Sequence, residues 1–288
     1  MPLPSGGVRL AIKLLGIQEA TPWLRLAEQV DAVERRYIAK VKKAMRDALA
    51  EDVWAVAQGV EPKGPPLERV FEALWFKVMA EELAETRKAV KAQRLAKRRA
   101  GQAPRSLKEL QTMYDAWRKG LWRPKNAAAQ GKKVKDDYLK AVRQWWTRRA
   151  DDFIQGRVFS QEEVVKAARR EVRRPMAQAR TVVRTETTGY QNQVRREVFD
   201  SLGGITHYLF LSIRDRRTTK WCQTRHGMVM EKGTKLLEEN TPAVHWNCRS
   251  EIVPLDPDNP RHLQMINDST RRASNRHLEP LPKDFRRT

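Results

Sequence analysis

Residues 208–254 read YLFLSIRDRRTTKWCQTRHGMVMEKGTKLLEENTPAVHWNCRSEIVP, and this stretch differs from the rest of the chain. It contains both cysteines of the protein, Cys222 and Cys248, and each has a histidine close by, His226 and His245. Most of the chain before it carries helical, basic patterns, whereas this stretch has the short apolar runs and turn residues of small strands and ordered loops. We therefore predict a mainly α protein with a small α+β C-terminal module and an elongated helical N-terminal region.

The composition indicates a strongly basic protein. Its 57 Lys and Arg residues outnumber 35 Asp and Glu residues, for a net charge of +22 over 288 residues. Adaptation to high temperature would enrich both signs of charge, so an acidic partner explains the excess better. Nucleic acid is the leading candidate, because Lys and Arg release counterions from its phosphates. An acidic membrane surface and an acidic protein remain alternatives.

Cysteine usage and hydropathy narrow the class of protein further. Two cysteines are too few for a disulfide framework, so we expect a reducing compartment. No run of about 18 apolar residues is present, so we expect no membrane span. The first residues lack a charged segment followed by a long apolar core, so we expect no signal peptide.

The chain divides into four predicted regions. Residues 1–23, with three prolines, predict an extended N-terminal arm. Residues 24–155 carry apolar side chains every three or four positions and predict a basic helical region. Residues 156–255 form the predicted α+β module, and residues 256–288 an extended C-terminal tail with little regular structure.

Local signals place breaks and starts within these regions. The segment GVEPKGPP at 59–66 ends one helix, and the Ala/Gly/Lys-rich residues 124–133 predict a mobile loop. Ser160 and Glu163 have the spacing of a capping box, which predicts a helix that begins there. Pro175 predicts a kink or break in that helix.

The most basic part of the helical region lies between residues 87 and 108, which include nine Lys or Arg residues and no Asp or Glu. A solvated helix face and a surface that contacts phosphates both fit such a run. The candidate DNA-binding residues are Arg87, Lys88, Lys91, Arg94, Lys97, Arg98 and Arg99. Aromatic residues among the basic ones, such as Tyr138 and Trp145, could stack on bases, but their helical spacing favours core packing.

Three interpretations of the cysteines and histidines remain open. Cys222 with His226, and His245 with Cys248, could each chelate one ion, and together they would form a structural zinc site. In an oxidising setting the cysteines could form a disulfide. In the third interpretation the cysteines pack as small apolar groups and the histidines make local hydrogen bonds.

Catalysis has weaker support in the sequence. The zinc-deaminase pattern, HExxH, a Walker lysine loop and GxSxG are all missing. A metal-dependent nuclease that uses Asp215, His226 and His245, or a toxin-like enzyme, remains an alternative. A further alternative is a plain protein that binds nucleic acid without sequence specificity. Arg184 and Glu186 are two residues apart on a predicted helix and so face different directions, which favours two separate structural contacts.

Several islands of this stretch resemble the C-terminal module of the phage head morphogenesis family, the minor head proteins similar to phage Mu protein F. They are Asp215-Arg-Arg-Thr218, Trp221-Cys222, His226-Gly227, Pro242 and His245-Trp-Asn-Cys248-Arg249, preceded by Arg184-Thr185-Glu186-Thr187 and Asn192. The resemblance covers residues 160–255. The family pattern is D-x-R-T-C-x-x-C followed by H-x-x-C-R-C. Here Thr219 and Ser250 replace two of its cysteines, which excludes a four-cysteine site.

The resemblance implies a structural virion protein, present in few copies at the head interior or portal vertex and made in the host cytoplasm. Its implied partners are the portal, capsid or scaffold proteins and packaged double-stranded DNA. Its implied roles are head assembly, DNA packaging and DNA ejection, none of which requires enzyme chemistry. The retained Asp215 and Arg217 suggest a loop held by contacts between carboxylate and guanidinium groups.

Overall fold

The computed structural model of the chain describes residues 17–78, 80–81, 84, 127–155, 160–202, 204–213, 215–272 and 278–280. Two predictions lie outside these residues and stay predictions: the first 16 residues of the N-terminal arm, and the candidate DNA-binding residues between 87 and 99.

Long helices make up the part of the described chain that precedes residue 203, which confirms the mainly α prediction. Their bounds are Ile17–Ala57 (α1), residues 67–78 (α2), Ala127–Ile154 (α3), Gln161–Glu171 (α4) and Arg173–Leu202 (α5). None of the described helices has the length and apolar character needed to cross a membrane.

By internal contacts the chain divides into two compact units. One consists of residues 33–76 and 124–183, and we call it the helical unit. The other contains residues 184–288 together with 1–32 and 77–123, and we describe its C-terminal part, from residue 184 onward, as the C-terminal unit. The division falls within α5.

Apolar stripes at helical spacing form the core of the helical unit, as the periodicity predicts. The buried side chains recur every three or four residues along α1, α2 and α3; they include Val33, Tyr37, Val41, Met45, Leu49, Val53, Leu67, Phe71, Leu74, Trp75, Val134, Tyr138, Val142 and Trp145. The Tyr37 hydroxyl donates a hydrogen bond to the Ala73 carbonyl at 2.9 Å. Tyr138 and Trp145 are thus core residues, in agreement with the interpretation that the sequence favours.

The segment at 59–66 is the turn that its glycines and prolines predict. Gly59 and Gly64 have φ values of +71° and +68°, in the left-handed region that disfavours other residues. The Gly64 N–H donates to the carboxylate of buried Asp52 at 2.9 Å. Burial raises the pKa of Asp52, against the lowering effect of this hydrogen bond.

Two predicted boundaries are wrong. The loop predicted at 124–133 is helical from Ala127 onward, because its alanines favour a helix and Gly131 packs closely against α2. The predicted arm becomes helical at Ile17, so its last residues belong to α1.

Gly131 gives the first prediction. A Cβ atom at this position would lie 2.7 Å from the Leu67 carbonyl oxygen and from the backbone of Glu68, so the two helices would have to separate. We expect Gly131→Ala to lower the free energy of unfolding of the helical unit by about 2 kcal/mol, measured by urea denaturation.

Gly189→Ala is the matched control for this prediction. Gly189 lies within α5, and a Cβ atom there would meet nothing within 4 Å. Its replacement should raise the free energy of unfolding of the C-terminal unit, to which Gly189 belongs, by about 0.5–1 kcal/mol, the usual effect in a helix interior. Equal effects of the two variants would contradict the close packing at Gly131.

The capping box and the proline break are confirmed. The Ser160 hydroxyl accepts from the Glu163 N–H, and the Glu163 carboxylate accepts from the Ser160 N–H at 2.9 Å. Helix α4 ends at Glu171 and α5 begins at Arg173. Pro175 lacks an N–H to donate to the Glu171 carbonyl, and its ring would clash with that group.

A three-stranded antiparallel sheet of order β2-β1-β3 forms the centre of the C-terminal unit. The strands are His207–Leu211 (β1), Val229–Glu231 (β2) and Glu251–Leu255 (β3). The sequence predicts β1 and β3, whereas β2 has only three residues and gives no periodic signal. Two short helices, Lys220–Arg225 (α6) and Lys235–Asn240 (α7), lie in the connections. The small α+β module is thus confirmed.

The two faces of the sheet belong to two apolar clusters. Tyr208, Phe210, Met230 and Ile252 pack in one cluster with both cysteines. The opposite face contributes Leu209, Val253 and Leu255, which are clustered with Ile266 of a further helix, Pro260–Arg272 (α8).

Helix α8 corrects the prediction of an extended tail from residue 256. Few apolar residues are needed there, because Ile266 and Met265 pack in the apolar cluster on that face of the sheet. Residues 278–280 also belong to this unit: the buried Arg225 guanidinium donates to the Glu279 carbonyl at 2.8 Å, and Leu278 packs against the cluster that contains the cysteines.

Candidate metal centre

One polar face of α5 holds the edge of the sheet on which the candidate site is built. Thr185, Thr188, Asn192 and Arg195 are spaced by three, four and three residues, so they lie on one side of the helix, and all four are buried. Their partners are backbone groups between residues 247 and 252. Strand β3 is an edge strand, and the side chains of α5 take the place of a neighbouring strand along it.

Asn192 makes the central contacts of this face. Its amide nitrogen donates to the carbonyls of Thr188 and Ser250, at 2.8 and 3.1 Å. Its amide oxygen accepts from the Ile252 N–H at 2.7 Å. The Arg195 guanidinium donates to the Ile252 carbonyl at 2.9 Å and pairs with Glu251 at 3.2 Å. A buried edge without these partners would leave several backbone groups unsatisfied.

The two threonines of the same face position the loop that carries His245 and Cys248. The Thr188 hydroxyl donates to the Cys248 carbonyl at 2.7 Å, and the Thr185 hydroxyl accepts from the Asn247 N–H at 2.9 Å. Asn247 has a φ of +60°, a left-handed conformation that asparagine tolerates. The loop therefore turns sharply just before Cys248 and directs the Cys248 side chain into the core, where it is buried.

Helix α6 brings the other cysteine to the same place. Thr219 caps the helix, because its hydroxyl accepts from the Cys222 N–H. Cys222 lies in the first turn and is buried. The Cys222, His245 and Cys248 side chains thus form one buried group, which we call the thiol–imidazole cluster.

The donor atoms of the thiol–imidazole cluster lie within 4.8 Å of one another, and the cluster could hold a metal ion. The two Sγ atoms are 3.8 Å apart, and Cys222 Sγ is 3.0 Å from His245 Nε2. Zinc with tetrahedral ligands at its usual bond lengths places two sulfurs about 3.8 Å apart and a sulfur and a nitrogen about 3.6 Å apart. The sulfur pair fits this geometry, and the imidazole would move outward by about half an ångström.

The imidazole of His245 is oriented for this role. Its Nδ1 is 2.7 Å from the Trp246 carbonyl oxygen. A carbonyl oxygen can only accept a hydrogen bond, so Nδ1 is protonated and is the donor. The proton on Nδ1 leaves Nε2 to face the sulfurs. A backbone carbonyl that fixes the tautomer in this way is a usual partner of a metal-binding histidine. The Trp221 ring, 5.6 Å from the imidazole between centroids, packs beside it.

Two hydroxyl groups complete the surroundings of the cluster. The Thr219 hydroxyl is 2.9 Å from His245 Nε2, and the Ser250 hydroxyl donates to Cys222 Sγ at 3.0 Å. These are the two positions where the sequence departs from the pattern of the resemblance. An opening lined by Ile213, Arg217 and Asn247, among others, reaches the cluster from the surface.

The protonation of the cluster follows from these contacts. Burial raises the pKa of Cys248, but hydrogen bonds from Cys222 and His245 outweigh it and hold that pKa well below its usual value. The same hydrogen bond, together with burial, raises the pKa of Cys222. Burial lowers the pKa of His245, yet its hydrogen bond to Cys248 raises it above its usual value.

His226, the fourth predicted ligand, is not part of the thiol–imidazole cluster. It ends α6, and its Nδ1 accepts a hydrogen bond from the Ser212 N–H at 3.1 Å. The prediction placed it with Cys222 because the two are four residues apart. The helix stops at Arg225, and the chain turns away at Gly227, whose φ is +72°. The described residues thus bring together three of the four predicted ligands.

Asp215 pairs with the predicted Arg217 and, more closely, with Arg249. The two guanidinium nitrogens of Arg249 donate to its two carboxylate oxygens at 2.9 and 2.7 Å, whereas the guanidinium of Arg217 is 3.9 Å away. The hydrogen bonds from Arg249 hold the pKa of Asp215 well below its usual range. This bidentate pair ties the loop before α6 to the residue after Cys248.

Glu186 gives a second prediction, on the dependence of stability on pH. Desolvation raises the pKa of this largely buried carboxyl to about 7, against the lowering effect of a hydrogen bond with Tyr190. The pKa of Glu186 is higher in the folded than in the unfolded protein. The stability that this carboxyl contributes is therefore complete below about pH 4.5 and is lost as the pH rises through 7. Glu186→Gln should therefore stabilise the protein at pH 8, by up to about 3 kcal/mol, and have little effect at pH 4.5.

The control for this prediction is Glu162→Gln, at an exposed position in the first turn of α4. Urea denaturation between pH 4.5 and 8 should show a flatter stability profile for Glu186→Gln only. An unchanged profile would mean that the Glu186 carboxyl is solvated in the folded protein.

Several residues of the site escape prediction from the sequence. Thr188 and Arg195 have no motif of their own, but polar residues at helical spacing along α5 are a signal that could find them. Thr219 and Ser250 were noted only as departures from a pattern. Comparison of the chain with models of protein families, with curated proteins and with solved structures finds no match.

Proposed function

We propose that this chain is a structural minor head protein of a phage, with a C-terminal module closed by a zinc ion. The observation that carries the proposal is a convergence in space. Several separated islands of the resemblance to the head morphogenesis family meet around the thiol–imidazole cluster. Asn192 of the first island holds β3, Asp215 of the second binds Arg249, and the two cysteines belong to the remaining islands.

The chemistry of the donor set supports zinc as the metal. Two thiols and one imidazole are soft and borderline ligands that suit zinc and not magnesium or calcium. A fourth ligand of the oxygen type is at hand in the Thr219 or Ser250 hydroxyl, or in water that enters through the opening lined by Arg217. Bound zinc would crosslink α6 to the loop before β3. Without the ion, only the intervening chain connects these two elements covalently.

Burial and pairing favour a structural role over an enzymatic one. The Cys248 sulfur is fully buried, so a substrate cannot reach it as a nucleophile. The nuclease alternative needs Asp215, His226 and His245 around one metal ion. Arg249 donates hydrogen bonds to both carboxylate oxygens of Asp215, and His226 Nδ1 accepts a hydrogen bond from the Ser212 N–H. No described contact joins these three side chains.

The charge of the chain supports an environment rich in phosphate. A net charge of +22 repels itself unless counter-charges are close, and packaged double-stranded DNA supplies them at high concentration. We therefore place the protein in the virion, at the head interior or the portal vertex, with the portal, capsid or scaffold proteins and DNA as its partners. Its roles there are head assembly, packaging and ejection of DNA.

Mass spectrometry of purified virions tests the proposal. The particles should contain this chain in fewer copies than the major capsid protein, with chemical crosslinks to the portal or capsid. Its absence from particles would overturn the proposal.

In a second assay, purified protein incubated with plasmid DNA and Mg²⁺ or Zn²⁺ should leave the DNA uncut. Cleavage that is lost in His245→Gln would favour the nuclease.

A further inference from the structure

We infer that the exposed arginines from the end of α4 to the first turns of α5 bind the phosphate backbone of duplex DNA. We call them the arginine ridge: Arg169, Arg170, Arg173, Arg174 and Arg180. The inference deepens the proposed function, because it rests on DNA as a partner and assigns the contact to a particular surface of the helical unit.

The ridge is one-sided. At 100° per residue its five arginines fall within an arc of about 140°, and all are exposed. The buried residues of the same segment fall on the opposite side; they are Val164, Ala168, Val172, Pro175 and Ala179. The hydrogen bond from the Met176 N–H to the Val172 carbonyl at 3.0 Å continues the helical pattern past the break. The arginines are therefore presented by a backbone whose other side is fixed in the core.

The ridge also lacks the acidic partners that several other basic residues of the helical unit have. Lys43 pairs with Asp47, Arg143 with Glu61, and Arg149 with Asp152. Within the described part of the chain, no carboxylate lies within ion-pair distance of the ridge arginines. The one acidic residue among them, Glu171, is bound by Arg148 at 2.7 Å.

Unpaired arginines at this spacing repel one another. Arg169 and Arg173, and Arg170 and Arg174, are four residues apart, a spacing at which like charges cost a few tenths of a kcal/mol per pair. A bound polyanion removes this cost. Arginine also binds phosphate oxygens with two parallel hydrogen bonds, which lysine cannot do. A regular row of phosphates with no base contacts is the partner that this chemistry fits.

The test compares two full-length double variants that lose the same net charge. Arg170→Gln/Arg174→Gln removes two ridge arginines, and Arg143→Gln/Arg149→Gln removes two exposed arginines that have acidic partners. Fluorescence anisotropy with a 30-bp duplex of mixed sequence measures affinity from low to moderate salt. Residues 87–99 are unchanged in both variants, and thermal denaturation verifies that both are folded.

The ridge variant should bind DNA about 10- to 60-fold more weakly at about 0.1 M salt, with a slope of log K against log salt reduced by about two. The paired-arginine variant should lose less than fivefold. Equal losses in the two variants, or an unchanged slope in the ridge variant, would overturn the inference. An unchanged DNA affinity with weakened binding to anionic phospholipid vesicles would assign the ridge to a membrane instead.

This experiment and the virion experiment fail independently. DNA binding by the ridge needs no assembled head, and incorporation into particles needs no ridge. A chain that binds DNA through the ridge but is absent from virions would contradict the head-protein proposal alone. A chain that is present in virions but insensitive to the ridge substitutions would contradict the ridge alone.

Discussion

Replacement of Cys248 by serine should abolish zinc binding and lower the melting temperature of the C-terminal unit by about 15 °C or more. The side chain changes little in size, so the effect reports on the ligand. A metal that binds only the folded state stabilises that state by about 4 kcal/mol when the concentration of free metal is about a thousandfold above its dissociation constant. In a unit of this size that corresponds to roughly 15–30 °C. Calorimetry, with zinc measured by elemental analysis, checks both effects.

Two histidine variants are the controls for this result. His245→Gln removes the imidazole of the thiol–imidazole cluster and should match Cys248→Ser in zinc content and melting temperature. His226→Gln changes a histidine that lies outside the cluster, and should retain one zinc per chain. A chelator should lower the melting temperature of the wild type and of His226→Gln only. Loss of zinc in His226→Gln as well as in His245→Gln would restore the four-ligand set predicted from spacing.

Asn192→Leu should produce the second large effect, a loss of about 3–5 kcal/mol from the free energy of unfolding of the C-terminal unit. Leucine has a similar volume, but it leaves the Ile252 N–H and the Ser250 carbonyl without the partner that Asn192 supplies. Each buried group that loses its hydrogen bond costs about 1–3 kcal/mol. The substitution should also weaken zinc binding, because the Ser250 carbonyl that Asn192 holds lies two residues from Cys248.

Gln178→Leu is the control for Asn192→Leu, since Gln178 is an exposed residue of the same helix. Its effect on stability should stay within about 0.5 kcal/mol, as is usual for surface positions. Urea denaturation monitored by tryptophan fluorescence measures both variants. A loss below about 1 kcal/mol for Asn192→Leu would mean that α5 does not substitute for a strand beside β3.

The helical elements follow from the sequence because their signals are local. The buried stripe of α1, the capping box at Ser160 and the break before Pro175 each depend on residues within a few positions of one another. Elements whose stability comes from distant contacts escape such reasoning. Strand β2 forms only because β1 lies beside it, and α8 needs only a few apolar residues to cover the sheet.

The residues of the candidate site also divide into those with a local sequence signal and those that depend on tertiary contacts. Spacing identified Cys222, His245 and Cys248, because cysteine and histidine are rare in this chain and fall together. It failed for His226, since the direction of that side chain depends on where α6 ends. The role of Asn192, 60 residues from its partner Ile252, depends on tertiary structure that no local pattern contains.

X-ray absorption at the zinc edge of the purified protein tests the central claim, that Cys222, His245 and Cys248 hold a structural metal, most directly. The account predicts one zinc per chain with two sulfur ligands at about 2.3 Å, one histidine nitrogen near 2.0 Å and one further light ligand. Metal-free protein that unfolds at the same temperature with and without added zinc would contradict it, as would a zinc shell without sulfur.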